Sequence, residues 1–176
     1  GAVSITVGNA GQLTVDSITT TGGTDVDATP NAGGGVTLSG GDVTILGTLT
    51  TTGAIDVGGD AAGGAGGAVT VTATDLVSPL ITLDGVAIDT SGGTGTSQGA
   101  GGAVQFNDAV SLTTAGTTIT TGASAGDIVF ADKLNGGQTL GLTAGTGTIT
   151  FTGAVGDSAR LGAVTISSAG TVNLDN

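Results

Sequence analysis

Short runs in which every second residue is apolar recur along the whole chain, as in SITV from Ser4 and TITFT from Thr148. The apolar residues alternate with Thr or Ser, which is the period-2 pattern of a β-strand with one buried face. No stretch has the 3.6-residue period of an amphipathic helix. The pattern therefore predicts an all-β protein made of many short strands.

Seven of these runs share the order apolar, any residue, apolar, and they repeat at steps of 33, 33, 35, 24, 21 and 23 residues. The second apolar positions form a column that contains all three Phe: Ile5, Leu38, Val71, Phe106, Phe130, Phe151 and Leu174. The first apolar positions form another: Val3, Val36, Val69, Val104, Ile128, Ile149 and Val172. Recurrence at such a period is typical of solenoids, so both columns are predicted to stack inside one.

The shortening of the period part way along the chain has a visible source. The longer repeats carry extra Gly-rich stretches, which are TDVDATPNAGG after Gly23, GGDAAGGAGG from Gly58 and TGTSQGAGG from Thr94. Because closure entropy grows slowly with loop length, insertions at one corner of a coil cost little. We expect a coil of constant size with one variable corner.

A further column, in a different part of each repeat, supports the same coil. Ile18, Leu49, Ile88 and Ile119 each open a short segment that ends in Gly: ITTTG, LTTTG, IDTSG and ITTG. Each segment is typical of a strand that enters a corner, where glycine supplies positive φ.

These columns together predict a right-handed parallel β-helix, or β-solenoid, of about seven rungs with Gly-rich corner loops. Residues 1–176 are expected to form a single domain, with longer loop-bearing coils in 1–125 and shorter coils in 126–176. Six steps of about 4.8 Å give an axial rise of about 29 Å. Neither end shows a polar cap, so we expect either a segment of a longer run or end-to-end stacking, since open rungs are templates for strand addition.

Three stretches carry a family resemblance: LTAGTGTITFTGAVG from Leu142, RLGAVTISSAGTVNLDN from Arg160, and the GAGGAV junctions at Gly64 and Gly99. In these the chain resembles the repeat regions of filamentous-haemagglutinin-like exoproteins and giant bacterial adhesins. The resemblance implies an extracellular or cell-surface shaft, exported through the outer membrane, that mediates attachment or forms a fibre. It implies as partners further copies, end to end or side by side, and a receptor on host cells, surfaces or glycans.

Charge narrows the range of partners. The chain has 14 acidic residues, all Asp, against Lys133 and Arg160, which gives a formal net charge of −12. Two cations are too few to neutralise the phosphates of a nucleic acid or of a membrane surface. Nucleic acid and anionic membranes are therefore poor partners. No apolar run reaches the roughly 18 to 20 residues of a membrane span, so membrane insertion by this segment is not expected.

Catalytic chemistry is poorly supplied, because His, Cys, Glu and Tyr are all missing. We therefore expect no enzyme, no cofactor and no catalytic residue. The nearest acidic pairs in sequence are Asp25 with Asp27 and Asp84 with Asp89. We interpret both pairs as residues that stabilise turns and corners, which Asp favours.

A ligand-binding solenoid for ice, glycan or calcium is the alternative to a purely structural rod. Asp56 with Asp60 and Asp127 with Asp132 lie beside corners, as calcium ligands can, but the GGxGxD repeat of calcium-binding β-rolls is missing, so no metal residue is predicted. Four further residues are expected to align on one outer face, where ranks of Thr can order water: Thr20, Thr51, Thr90 and Thr120. Plain β-propensity also explains such Thr.

Overall fold

The computed structural model of the chain describes residues 1–8, 11–24, 29–59, 61–78 and 80–175. These residues form eighteen short strands and no helix. Every pair of neighbouring strands is parallel, and the strands lie in three sheets. We name the sheets A, B and C in the order in which each coil visits them.

The strands follow the chain coil by coil. Coil 1 has β1 (Val3–Thr6), β2 (Leu13–Val15) and β3 (Ile18–Thr19), and coil 2 has β4 (Val36–Gly40), β5 (Val43–Ile45) and β6 (Thr48–Thr50). Coil 3 has β7 (Val69–Ala73), β8 (Leu80–Asp84) and β9 (Ala87–Asp89), and coil 4 has β10 (Val104–Phe106), β11 (Ala109–Thr113) and β12 (Thr117–Thr120). Coil 5 has β13 (Ile128–Phe130), β14 (Leu134–Gly136) and β15 (Leu140–Thr143), coil 6 has β16 (Thr148–Phe151) and β17 (Val164–Ser168), and coil 7 has β18 (Thr171–Leu174).

The register between coils is one-to-one on sheet A. Its order is β1-β4-β7-β10-β13-β16-β18, and the pairing joins Ile5 to Leu38 and continues through the column to Leu174. On sheet C, Ile18 pairs with Leu49, and the column runs through Ile88 and Ile119. The predicted columns on sheets A and C, and with them the parallel β-helix, are confirmed.

The inner face of the coil is the core. Inward residues of the middle coils are almost fully buried, and the outward residues between them are Thr, Ser and other residues of intermediate or full exposure. The three Phe stack as predicted: the ring centroids of Phe106 and Phe130 are 5.1 Å apart, and those of Phe130 and Phe151 are 5.3 Å apart. The column thus replaces the single aromatic cluster of a globular core with a ladder.

Most of the extra length of the long coils lies at one corner. The connections from sheet C to sheet A span 20–35, 51–68 and 90–103 in coils 1 to 3, and only 121–127, 144–147 and 169–170 later. The corner between sheets B and C is short, and positive φ recurs there at paired positions, at Gly85 (66°) and at Thr114 (59°). The variable corner that the sequence predicts is the corner from C to A.

The Phe ladder can be tested at its middle rung. Phe130→Ala should lower the free energy of unfolding by about 3–5 kcal/mol, because it opens a cavity between two stacked rings. Val129→Thr, on the outward side of the same strand, should change it by about 0.5 kcal/mol or less. Equilibrium urea denaturation measures both, and equal losses would contradict an internal ladder.

Candidate functional site

The sequence-predicted acidic pairs do not form shared sites among the described residues. Asp84 ends β8 in sheet B, whereas Asp89 ends β9 in sheet C, where its carboxylate accepts the N–H of Ser91. Asp127 and Asp132 lie at opposite ends of β13. Each of these two carboxylates accepts a different backbone N–H.

Asp56, the described member of the other candidate calcium pair, accepts hydrogen bonds from its own loop. Asp56 is buried, and its carboxylate accepts the N–H groups of Gly58 and Ala61 at 2.9 and 3.0 Å. Asp60, which lies near it in sequence, is outside the described residues, as are Asp25 and Asp27. Within the described ranges, no group of three or more His, Cys, Asp or Glu is placed to hold a metal ion.

The Thr column is internal, so the prediction that it lies on an outer face is wrong. Thr20, Thr51 and Thr90 are 8%, 0% and 0% exposed. Thr120 belongs to the neighbouring column, because it pairs with Asp89, and Thr121 takes the fourth place instead. The column has too little contact with solvent to order an ice surface.

Each of these four Thr closes the neck of a C-to-A connection. Its hydroxyl donates a hydrogen bond to a glycine carbonyl across the neck: Thr20 to Gly34, Thr51 to Gly67 (2.5 Å), Thr90 to Gly102 (2.5 Å) and Thr121 to Gly126 (2.8 Å). In the three long connections the same glycine returns its N–H to the Thr carbonyl. We call this pair of bonds the Thr clasp. It pins the loop shut at its base, so the coil keeps its size whatever the loop length.

The clasp predicts that replacing a buried Thr by Val changes the free energy of unfolding in opposite directions at Thr51 and Thr117. Thr51→Val leaves the Gly67 carbonyl without its donor and should lower the free energy of unfolding by about 1–3 kcal/mol, whereas Thr51→Ser should retain most of it. Thr117 is also buried, but its hydroxyl has no hydrogen-bond partner among the described residues. Thr117→Val should therefore raise the free energy of unfolding by about 1 kcal/mol. Losses of similar size at both positions, measured in urea, would refute the clasp.

Beyond the clasp, the described parts of the three long connections stack into what we call the glycine-rich lobe, residues 21–24, 29–34, 52–59, 61–67 and 91–102. Their outgoing arms bond to each other, as in Gly22 N–H to Thr52 O and Gly53 N–H to Ser91 O. The returning arms do the same, and Gly93 N–H also crosses from an outgoing arm to Gly64 O on a returning arm. The described residues of the Gly-rich insertions thus form a second layer of backbone packed on backbone.

Glycine is required in the lobe for close approach. A Cβ built on Gly93 would overlap the carbonyl of Ala54, whereas a Cβ on Gly23 would meet nothing within 4 Å. Neither residue has positive φ, so the two glycines differ only in the space available for a Cβ atom.

These two glycines give a matched pair for testing the lobe. Gly93→Ala should force adjacent arms apart and expose the backbone of the lobe, while Gly23→Ala should leave it intact. Hydrogen exchange of the amides of Gly53, Gly66 and Gly93 measures the effect: exchange should speed up by at least about tenfold in the first variant only. Unchanged exchange in the Gly93 variant would show that the arms are not in backbone contact.

The outer side of the lobe carries an open groove of about 410 Å³. Thr21, Thr24, Thr52, Ile55 and Thr94 line it together with five glycines. Of the described residues that line it, none has a charged side chain.

The two ends of the solenoid differ. In coil 1, Leu13 and Val15 are only 8% and 7% exposed, and the other inward residues, Val3, Ile5, Val7 and Ile18, are half-buried. At the other end, five inward aliphatic residues are 37–65% exposed: Val155, Val164, Ile166, Val172 and Leu174. With Phe151 and Leu161 they line a cavity of about 360 Å³. We call this surface the open end.

The charges are unevenly spread along the axis. Residues 1–126 hold ten Asp and no Lys or Arg, whereas 127–176 hold four Asp and both cations. Lys133 forms an exposed ion pair with Asp157 (Nζ to Oδ2, 2.8 Å), which raises the pKa of Lys133 and lowers that of Asp157. Burial raises the pKa of Asp108 by more than the hydrogen bond from Ala73 N–H lowers it, and nearby Asp132 adds to the rise.

Comparison with protein-family models, curated proteins and solved structures finds no match to this chain. No helix in the described part of the chain is long and apolar enough to cross a membrane.

The sequence predicts the columns, but it does not predict the clasp, the lobe or the difference between the ends. A signal for the clasp was present, because its Thr stands two residues after each apolar residue of the sheet C column. The only sequence signal of the lobe is the repeated glycine pairs, which are equally typical of unstructured loops.

Proposed function

We propose that this chain is a stretch of load-bearing shaft from an extracellular adhesin or filament, displayed at a bacterial cell surface. The observation that supports this role best is the unbroken register of sheet A, in which each of seven levels is hydrogen-bonded to the next. A stack of this kind stiffens a chain along its axis with no need for a large globular core.

The surface chemistry fits an exposed rod. Outward positions carry short polar side chains and the net charge is −12, which keeps a long apolar repeat soluble through self-repulsion. The long Gly-rich connections all lie at one corner, between sheets C and A. Such a rod can present a lateral surface or a distant tip to a receptor.

A load-bearing role predicts a stepwise response to force. If the chain is pulled between residues 1 and 175, coils should detach one at a time, because each contacts only its neighbours. Each step should release 21–35 residues, about 70–120 Å of extended chain. Single-molecule force spectroscopy gives these increments, and Phe130→Ala should lower the force for the neighbouring coils while Val129→Thr does not.

Two results would overturn the proposal. Release of the whole chain in one event at forces near the noise level would exclude a load-bearing rod. Cleavage of a polysaccharide, abolished by changing a single Asp to Asn, would instead make the chain an enzyme.

A further inference from the structure

Coil 3 has a longer loop than its neighbours at the corner between sheets A and B. The connection from β7 to β8 spans 74–79, whereas the connections at the same corner in coils 2 and 4 are 41–42 and 107–108. Because those neighbours close the corner with two residues each, the coil itself does not require the longer loop. We call its described part, residues 74–78, the coil 3 loop.

Two adjacent apolar residues of this loop project into solvent. Leu76 and Val77 are each 89% exposed, the largest exposed fraction of any large hydrophobic residue in the described part of the chain. Single exposed apolar residues are common on protein surfaces and need no explanation. Here two stand side by side on a loop that the coil does not need, so their exposure calls for a partner that buries them.

Hydrogen bonds fix the base and the turn of the coil 3 loop. The hydroxyl of Thr74 donates to the carbonyl of Gly40 at 2.9 Å, and the N–H of Asp75 donates to the carbonyl of Gly41 at 3.0 Å. Within the loop, the Asp75 carboxylate accepts the N–H of Val77 at 2.9 Å, which forms an Asx turn. The apolar side chains are therefore held on an ordered turn, and docking them costs little backbone entropy.

Carboxylates flank the loop on both sides along the solenoid axis. Asp108 in coil 4 accepts the N–H of Ala73, just before the loop, at 2.9 Å. Asp42 in coil 2 accepts the N–H of Leu80, just after the loop, at 3.2 Å. With Asp75 these residues place negative charges on three successive levels, which are about 4.8 Å apart. We call Asp42, Asp75 and Asp108 the acidic rim.

The charge of the acidic rim is not neutralised within the described part of the chain, where none of its three carboxylates forms a salt bridge. Asp132 continues the row in coil 5, and its charge adds to the rise that burial causes in the pKa of Asp108. Lys133, which follows it, already pairs with Asp157 at 2.8 Å. The apolar residues of the loop therefore lie among unpaired negative charges.

We propose that the coil 3 loop is a docking site for a protein partner, and that Leu76 and Val77 enter an apolar depression bordered by Lys or Arg on that partner. An apolar centre with a polar rim is the usual anatomy of a specific interface, and opposite charges at the rim orient and speed docking. The acidic rim repels an anionic membrane and also a second copy of this chain, whose net charge is −12. The lobe lies at a different corner and leaves the loop accessible.

A short synthetic helix with Leu along one face and Lys along the other, carrying a fluorescent label, is the probe for this site. Fluorescence anisotropy should show saturable binding to the parent chain, and Leu76→Ser combined with Val77→Ser should weaken it at least about tenfold. The matched control is Ile55→Ser combined with Val57→Ser, at residues 47% and 59% exposed in the lobe, and it should bind as the parent does. Equal thermal melting of both variants and the parent shows that the fold is intact.

The acidic rim is tested by removing charge while keeping the hydrogen bonds. Asp42→Asn and Asp108→Asn each retain an oxygen that can accept the backbone N–H, and each should weaken binding by about two- to fivefold. Asp89→Asn makes the same charge change on sheet C, where the carboxylate accepts the N–H of Ser91, and should leave binding unchanged. A second peptide, with Gln in place of every Leu, should bind all variants of the loop equally and at least about tenfold more weakly.

Four results would overturn the proposal: no binding of the Leu and Lys peptide, equal binding of the two peptides, equal losses in the matched controls, or binding that survives the loss of Leu76 and Val77. Flotation with phosphatidylcholine vesicles adds a fifth. If the parent floats with the vesicles and Leu76→Ser combined with Val77→Ser does not, the partner is a membrane and not a protein. The contact is lateral and exists in a rod with or without load, so it and the shaft role fail separately.

Discussion

The register between successive levels is the constraint on which the rest of this structure depends. Each inward side chain rests on its equivalent about 4.8 Å away, so a column tolerates Val, Ile, Leu or Phe but no change in the number of residues between a coil's inward positions. A slip of one residue in any strand would turn its apolar side chains outward. Every level must therefore return to the same starting point, however long its connection.

That requirement explains the chemistry of the C-to-A corner. The connections there range from 169–170 to 51–68, yet sheet A stays in register across all of them. The Thr clasp closes each longer connection at its neck, and glycines let the arms beyond the neck pack backbone against backbone. In coil 5, whose connection has only four residues, Ala144 occupies the neck and Gly147 N–H still bonds to its carbonyl. The hydroxyl is used where a loop has to be held shut.

The ends of the stack have no such internal solution. A parallel solenoid satisfies its strands only between levels, so the last level leaves strand edges and inward side chains open unless something covers them. Coil 1 buries Leu13 and Val15, whereas the open end leaves Val172 and Leu174 on the surface.

The sequence by itself determined the strands, the two columns, the Phe ladder and the corner that takes the insertions, because a period of 2 within strands and a repeat between coils are both written in residue order. It placed Thr20, Thr51 and Thr90 on the surface, since alternation cannot tell which side of a corner a residue faces once the strand has ended. Only the tertiary structure decided that these Thr turn inward as clasps, that the glycines pack into a lobe, and that the inward residues of coil 1 are less exposed than those of coils 6 and 7. Those features depend on contacts between residues many positions apart, such as Thr51 with Gly67 or Gly93 with Ala54, and no local pattern records them.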